Sequence, residues 1–180
     1  MTGVSCHIPT IETDTLRLRA PEDRDLEAYV TYGLSERSRT VGGPFERGES
    51  FHRLCAIAGH WQIRGYGRWI VADKITDEPL GVVGPYKPEA WPEPEIAWTV
   101  FAEAEGRGVA AEAALAARAF VYDTLGWSTV MSGIDPANVR SVRLAQRLGC
   151  TLEGTFETDA YGTLGIWRHP APDAPQQEIA

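Results

Sequence analysis

The stretch Glu95-Ile-Ala-Trp-Thr-Val-Phe-Ala-Glu-Ala-Glu-Gly-Arg-Gly-Val-Ala-Ala-Glu-Ala113 decides the fold. Its first six residues, Glu95 to Val100, mix β-branched and aromatic side chains and read as a strand, and its Ala-rich close reads as the start of a helix. Gly106 and Gly108 stand between the two. Free backbone N–H groups at a helix N-terminus, beside glycines that admit a close ligand, make an anion site suited to a phosphate or pyrophosphate. No Gly-Lys-Ser/Thr follows, so this is not a Walker loop, and the G-x-G-x-x-G spacing of dinucleotide binders is missing. A tight strand-to-helix turn without a ligand is the plain alternative for the same glycines.

Working outward, Gly108 to Leu125 reads as a long helix stopped by Gly126, Ser128 to Ile134 as a buried strand, and Asn138 to Leu148 as a helix stopped by Gly149. Thr151 to Thr158 and Thr163 to Arg168 form a closing hairpin. Upstream, Thr15 to Arg19 is a short strand, and Pro21 opens a helix with Glu22, Asp23 and Asp25 in its first turn. Ser35 to Gly48 is irregular. A second helix, about Glu49 to Arg64, carries Phe51, Leu54, Cys55, Ala58 and Trp61 on one face. Arg68 to Lys74 and Leu80 to Gly84 pair through the turn Thr76-Asp77-Glu78-Pro79, and a loop with Pro85, Pro88, Pro92 and Pro94 leads into Glu95. This order predicts an α/β (α+β) domain with a mixed sheet.

The chain has 180 residues, 43% of them hydrophobic and 23% charged, enough for one domain to bury a core without disulfides or a metal. The longest stretches free of Asp, Glu, Lys and Arg, Met1 to Ile11 and Thr124 to Ile134, run eleven residues. That is far short of the roughly 20 that span a bilayer, so no membrane role is expected. No signal peptide is visible, and Cys6, Cys55 and Cys150 are odd in number and scattered, which fits a reduced, cytoplasmic chain. A net charge of −8 repels polyanions and speaks against a nucleic-acid partner. The exception is Pro136 to Leu152, which holds Arg140, Arg143 and Arg147 and no acid.

In Glu105-Gly106-Arg107-Gly108-Val109-Ala110 the chain resembles the GNAT N-acetyltransferase family, whose pyrophosphate loop reads Q/R-x-x-G-x-G/A. The opening strand Thr13-Asp-Thr-Leu-Arg-Leu-Arg19, the strand start Glu95-Ile-Ala-Trp98 and the helix Asn138-Val-Arg-Ser141 with the following Gly149 to Gly154 resemble the branch containing ribosomal-protein-alanine N-acetyltransferases. The resemblance spans residues 13–168, leaving 1–12 as an N-terminal extension and 169–180 as a disordered tail. It implies a mixed, mostly antiparallel seven-stranded sheet with about four helices, splayed between its fourth and fifth strands to admit acetyl-CoA as co-substrate. The backbone of Trp98, Thr99 and Val100 would pair with the pantetheine. The N–H groups of Gly106, Arg107, Gly108, Val109, Ala110 and Ala111 would hold the pyrophosphate, with no metal.

Two departures from the family pattern stand out. Glu105 replaces the usual Gln or Arg, and Ala145 stands where many members carry a thiolate-protonating tyrosine, so tyrosine-acid chemistry at that position is excluded.

An amine acceptor is mostly protonated at neutral pH, so acetylation needs a base, and the departing thiolate needs a donor. Glu95 is the candidate base, acting through water, and an ordinary strand-end carboxylate is the alternative. Ser141 is the candidate thiolate donor, and a plain first-turn residue of the helix capped by Asn138 is the alternative. Asn138 can both cap the helix and contact the pantetheine or acetyl group. Arg143 and Arg147, four apart, share a helix face. Arg143 is the candidate for the 3′-phosphate, Arg147 reads as a solvated basic residue, and Arg107 can also reach a phosphate.

Trp61, Trp69 and Trp98 read as core. Trp91 can line an acceptor cleft with Tyr32 or Tyr86, with a surface aromatic as the plain alternative for each. His52 and His60 read as non-ligands, and His169 as uninformative. Glu89, Glu93 and Glu95 suggest a cationic acceptor, either a small amine or a protein N-terminus. A monomer and a homodimer are both compatible with the sequence. The alternative function is a non-catalytic acyl-CoA-binding regulator, motivated by Ala145 and Glu105.

Overall fold

The computed structural model describes residues 7–173. Strands β1 (Ile11–Glu12) and β2 (Leu16–Arg19) lead through a 3-10 turn, Asp23–Asp25, into helix α1 (Leu26–Leu34). A second 3-10 segment, Glu36–Val41, and helix α2 (Arg47–Arg64) precede β3 (Trp69–Asp73), β4 (Pro79–Tyr86) and β5 (Glu95–Val100). Then come α3 (Val109–Ala119), β6 (Met131–Ile134), α4 (Val139–Arg147), β7 (Thr151–Thr158) and β8 (Gly162–Arg168).

All eight strands form one sheet in the order β1-β2-β3-β4-β5-β6-β8-β7. Every neighbouring pair is antiparallel except β5 and β6. The predicted mixed, mostly antiparallel sheet is therefore present, with eight strands where seven are read from the sequence. The extra one is β1, two residues too short for a period-2 signal, pairing Ile11 with Leu18 inside the segment read as an N-terminal extension. The fourth and fifth strands of the sequence reading are β5 and β6.

Two further segments differ in detail. The irregular Ser35–Gly48 stretch contains the Glu36–Val41 3-10 segment. The long helix stays α-helical only to Ala119 and widens into a π turn over Phe120–Thr124. Phe120 then meets Trp61 and Trp69 edge-on, with ring centroids 6.0 and 5.0 Å away.

The sheet buries both faces. One packs on α3 and α4 through Leu18, Val83, Ile96, Ala113, Ala117 and Leu144, and the other on α1 and α2 through Tyr29, Leu54, Ile57, Ile70 and Val82. Each fully buried valine, leucine or isoleucine among them contributes about 1.5–3 kcal/mol. Trp61 and Trp69 are core, as expected, and their indole N–H groups donate to Arg68 O and Pro9 O at 2.8 and 2.7 Å. Buried indoles need such partners.

The start of the segment read as a tail is tied down. His169 is 3% exposed, its N–H donates to Val130 O at 3.0 Å, and the Tyr122 hydroxyl donates to Pro170 O at 2.8 Å. The rest of that reading, residues 174–180, lies outside the described residues, as do residues 1–6 of the extension with Cys6.

Candidate active site

Strands β5 and β6 pair at one position, Glu95 with Met131, and then separate. Ser132 Oγ, 3.0 Å from His169 Nε2, donates to Ile96 O at 2.6 Å and so occupies the first carbonyl past the split. Burial, with the charges of Arg118 and Arg168, holds His169 down to about 3, so its imidazole stays neutral and structural. Its neighbour Trp98 is not pure core: it is half-buried and lines the cleft that opens here, of about 660 Å³.

Backbone groups alternate sides along a strand. Ile96 directs its carbonyl toward β6, so Trp98 and Val100 do the same, and the Thr99 backbone turns to β4, where its carbonyl sits against Gly81. Of the three residues expected to pair with a pantetheine, Trp98 and Val100 present backbone groups to the gap and Thr99 presents only its side chain. Val100 O already accepts a hydrogen bond from Arg37 at 3.4 Å.

Glu95 sits on the cleft wall but is only 5% exposed. Burial raises its carboxyl from the ordinary 4.5 to about 7, because an ion there loses its hydration. The Gly133 N–H, donating to Oε2 at 2.8 Å, and the Arg68 charge pull the other way. The Trp91 indole N–H meets no acceptor at hydrogen-bonding geometry, yet it is near enough to favour the anion. Glu95 is thus a buried cleft carboxyl that titrates near neutrality, unlike a solvated strand end.

The glycine loop bends as an anion cradle requires. Gly106 and Gly108 have φ of 76° and 80°, the left-handed region, and nothing lies within 4 Å of where a Cβ would project. The Arg107 and Ala111 N–H groups are consumed internally, by Ala104 O and Gly108 O. Those of Gly106, Gly108, Val109 and Ala110 have no acceptor among the described residues.

The Arg107 side chain turns out of the cleft toward Asp73 and Glu103 O. Glu105 is paired on both sides, by Arg37 and by Arg140, the latter at 3.1 Å. Its charge near the cradle is compensated within the chain.

Helix α4 forms the opposite wall. Asn138 Oδ1 accepts the Ser141 N–H at 3.2 Å, the expected cap. Trp98 Nε1 donates to Ser141 Oγ at 3.2 Å, which leaves the serine O–H free to donate into the cleft. Arg143 and Arg147 are exposed, line the cleft together and make no ion pair among the described residues, so the structure does not separate them as the sequence reading does. Ala145 is fully buried. Neither described cysteine lines the cleft: Cys55 is on the exposed side of α2, and burial pushes the Cys150 thiol up to about 12.

The other end of the cleft holds Tyr32, Tyr86 and Trp91, the aromatics the sequence offered for an acceptor cleft, beside arginines it did not mark. Trp91 is 9% exposed and packs edge-on against Phe156 and Tyr161. The acidic cluster read as favouring a cationic acceptor is dispersed. Glu89 pairs with Arg64 and Glu93 with Arg168, neither lines the cleft, and Glu95 alone enters it. Arginines line this end instead: Arg37, Arg53 and Arg68. Their distance in sequence from Glu95 left no local signal.

The sequence profile of a family described as acetyltransferase (GNAT) domain matches residues 15–151. The uncharacterized protein YkkB of Bacillus subtilis (strain 168) is 33% identical over 144 residues, covering 76% of this chain and 82% of its own. The uncharacterized N-acetyltransferase YoaA of the same strain is 26% identical over 159 residues, covering 85% and 89%. Among solved structures, the acetyltransferase from Agrobacterium tumefaciens str. C58 is 32% identical with a TM-score of 0.83, covering 94% of this chain and 99% of that one.

Proposed function

Because the chain belongs to the GNAT acetyltransferase family and is an acetyl-CoA-dependent acyltransferase, we propose that it acetylates a primary amine by direct attack in a ternary complex, with Glu95 as base and Ser141 as thiolate donor. The carrying observation is the Glu95 carboxyl, buried in the cleft and titrating near 7, where a base is half ionised at neutral pH.

Acetyl-CoA brings an activated thioester and a polyanionic nucleotide. The residues present suit it: four unengaged N–H groups from Gly106 to Ala110 would hold the pyrophosphate, Trp98 offers unpaired strand backbone, with Val100 O to be released by Arg37, and Arg143 and Arg147 supply positive charge along α4. Glu95 takes a proton from the acceptor ammonium, directly or through water. Ser141, its oxygen held by the Trp98 indole, keeps an O–H that would donate to the departing thiolate. The lack of a cleft-lining cysteine among the described residues favours direct attack over an acyl-enzyme.

Release of free thiol from acetyl-CoA across a panel of amines tests the reading. Intersecting double-reciprocal plots are expected, while parallel plots or binding without turnover would overturn it. Ser141→Ala is expected to lower kcat about 10- to 100-fold with little change in the acetyl-CoA KM. Its thermal midpoint should fall only slightly, since the cap uses the residue 141 backbone N–H, which alanine retains, and the Trp98 indole that loses its acceptor lines the open cleft. A fall in stability without loss of kcat would assign Ser141 to the helix alone.

A further inference from the structure

Given amine acetylation as proposed above, we infer that the acceptor carries a carboxylate beside its amine, on an apolar body, and that Arg68 receives that carboxylate. Arg68 is half-buried, lies just before β3 and lines the cleft at the Glu95 end. Its guanidinium stacks 4.2 Å from the centroid of the Tyr86 ring. Tyr86 is the direct partner of Glu95 across β4 and β5, and opposed residues project from the same face of a sheet. Arg68, Tyr86 and Glu95 therefore form one row along the cleft.

Stacking occupies the face of a guanidinium and leaves its edge, where all five N–H donors lie, unspent. Among the described residues Arg68 makes no ion pair and its side chain no hydrogen bond, while the other two arginines at this end are matched, Arg37 by Glu105 and Arg53 by Glu49. The Arg68 donors reach the open cleft, where water meets them until a guest with matching acceptors takes its place. A plain ammonium guest would be repelled by the guanidinium. A carboxylate fits the fork through two parallel hydrogen bonds.

Tyr32, Val41, Trp91 and Leu164 at this end are apolar or aromatic and suit an apolar body, and Glu36 beside them is paired with Arg39. The acids that would have favoured a purely cationic guest are engaged elsewhere, Glu89 by Arg64 and Glu93 by Arg168. The row then has a division of labour. Arg68 holds the carboxylate, the stacked Tyr86 fixes Arg68, and the amine comes to rest beside Glu95.

Initial rates of thiol release by the full chain decide the matter, using phenylalanine and its β- and γ-amino homologues, each beside its own carboxamide, at a pH above the Glu95 range. The amine of an α-amino amide is the easier to deprotonate, so reactivity alone favours the neutral member of each pair. The expected result is a kcat/KM for the carboxylate about 100-fold above that of its amide at one spacing at least. In Arg68→Ala that ratio falls to about 1 or below, where reactivity alone sets it. In Arg68→Lys it is intermediate, because the charge remains and the fork is lost.

A ratio cancels whatever either substitution does to folding or to Glu95. Amides equal to or better than carboxylates at every spacing, or a ratio that Arg68→Ala leaves untouched, overturns the assignment while amine transfer stands. If no amine is acetylated, amine transfer fails, and calorimetric titration of the same pairs with CoA present reads the anion site by itself. Carboxylates binding at least about 10-fold more tightly than amides support it, and equal binding sinks it.

Discussion

Glu95→Gln should lower kcat by about 10²- to 10⁴-fold and, above pH 7, make the protein more stable. Both effects come from one burial. The carboxyl sits at about 7 in the fold against 4.5 ordinarily, so between those values the native state holds a proton that the unfolded chain has released. The sign follows from the raised value. This contribution to stability is fully present below about 4.5, declines as pH rises and is gone above about 7.

At about 1.4 kcal/mol for each pH unit, the decline is about 3 kcal/mol, a few to about ten degrees in thermal midpoint for a domain of this size. Glutamine keeps an oxygen for the Gly133 N–H and carries no charge to bury, so the variant should lose that decline. Midpoints at pH 5 and pH 8 check it by comparison: the buried neutral His169 gains stability over this interval in both proteins, so Glu95→Gln should rise relative to the wild type from pH 5 to pH 8. In the wild type kcat/KM should climb through about pH 7 to a plateau, with Arg68 the charge facing the carboxyl, and this limb should vanish in the variant. A variant as active as the wild type would remove Glu95 from the chemistry. Unchanged stability at pH 8 would show that its charge is hydrated in the native protein.

Asp25→Ala is expected to cost about 3–5 kcal/mol of stability without touching the cleft. Asp25 is fully buried, and Arg19, at 5% exposed, meets it through two bonds of 2.8 and 2.9 Å. Asp25 also accepts the Glu22 N–H at 2.8 Å, and Arg19 continues to Asp77 at 3.1 Å. The pair ties β2 to the 3-10 turn ahead of α1 and to the β3–β4 turn. Removing the carboxylate leaves a guanidinium buried beside its remaining partner Asp77, which is why the cost exceeds that of a surface pair. Urea unfolding should show a lower midpoint at unchanged m, and Arg19→Met with Asp25→Leu should recover much of the loss. A loss below about 1 kcal/mol would mean that water reaches the pair.

Glycine and proline punctuation, with period-2 and period-3.6 patterns, made most elements legible, because those signals are local. Gly106 and Gly108 marked the loop, Asn138 the cap, and Glu95 the carboxyl that the structure buries. What escaped depends on partners far along the chain. His169 looked like the start of a tail, but Val130 and Ser132 enclose it. Trp91 looked exposed in its proline-rich loop until Phe156 and Tyr161 closed over it. Glu93 looked like part of an acidic acceptor site, and only the fold brings Arg168 against it. Arg68 carried no sign of being the unmatched arginine, since being unmatched is defined by every other residue's position.

Glu105, bridged by Arg37 and Arg140 at the rim of the glycine loop, acts as a counter-ion built into the chain. Polyanions usually gain affinity by releasing mobile ions from the surfaces they cover, which makes their binding steeply dependent on salt. A carboxylate held by the backbone is displaced but never released to bulk. It follows that acetyl-CoA affinity should vary with ionic strength less than the number of arginines around the loop would suggest, and more steeply once residue 105 is glutamine.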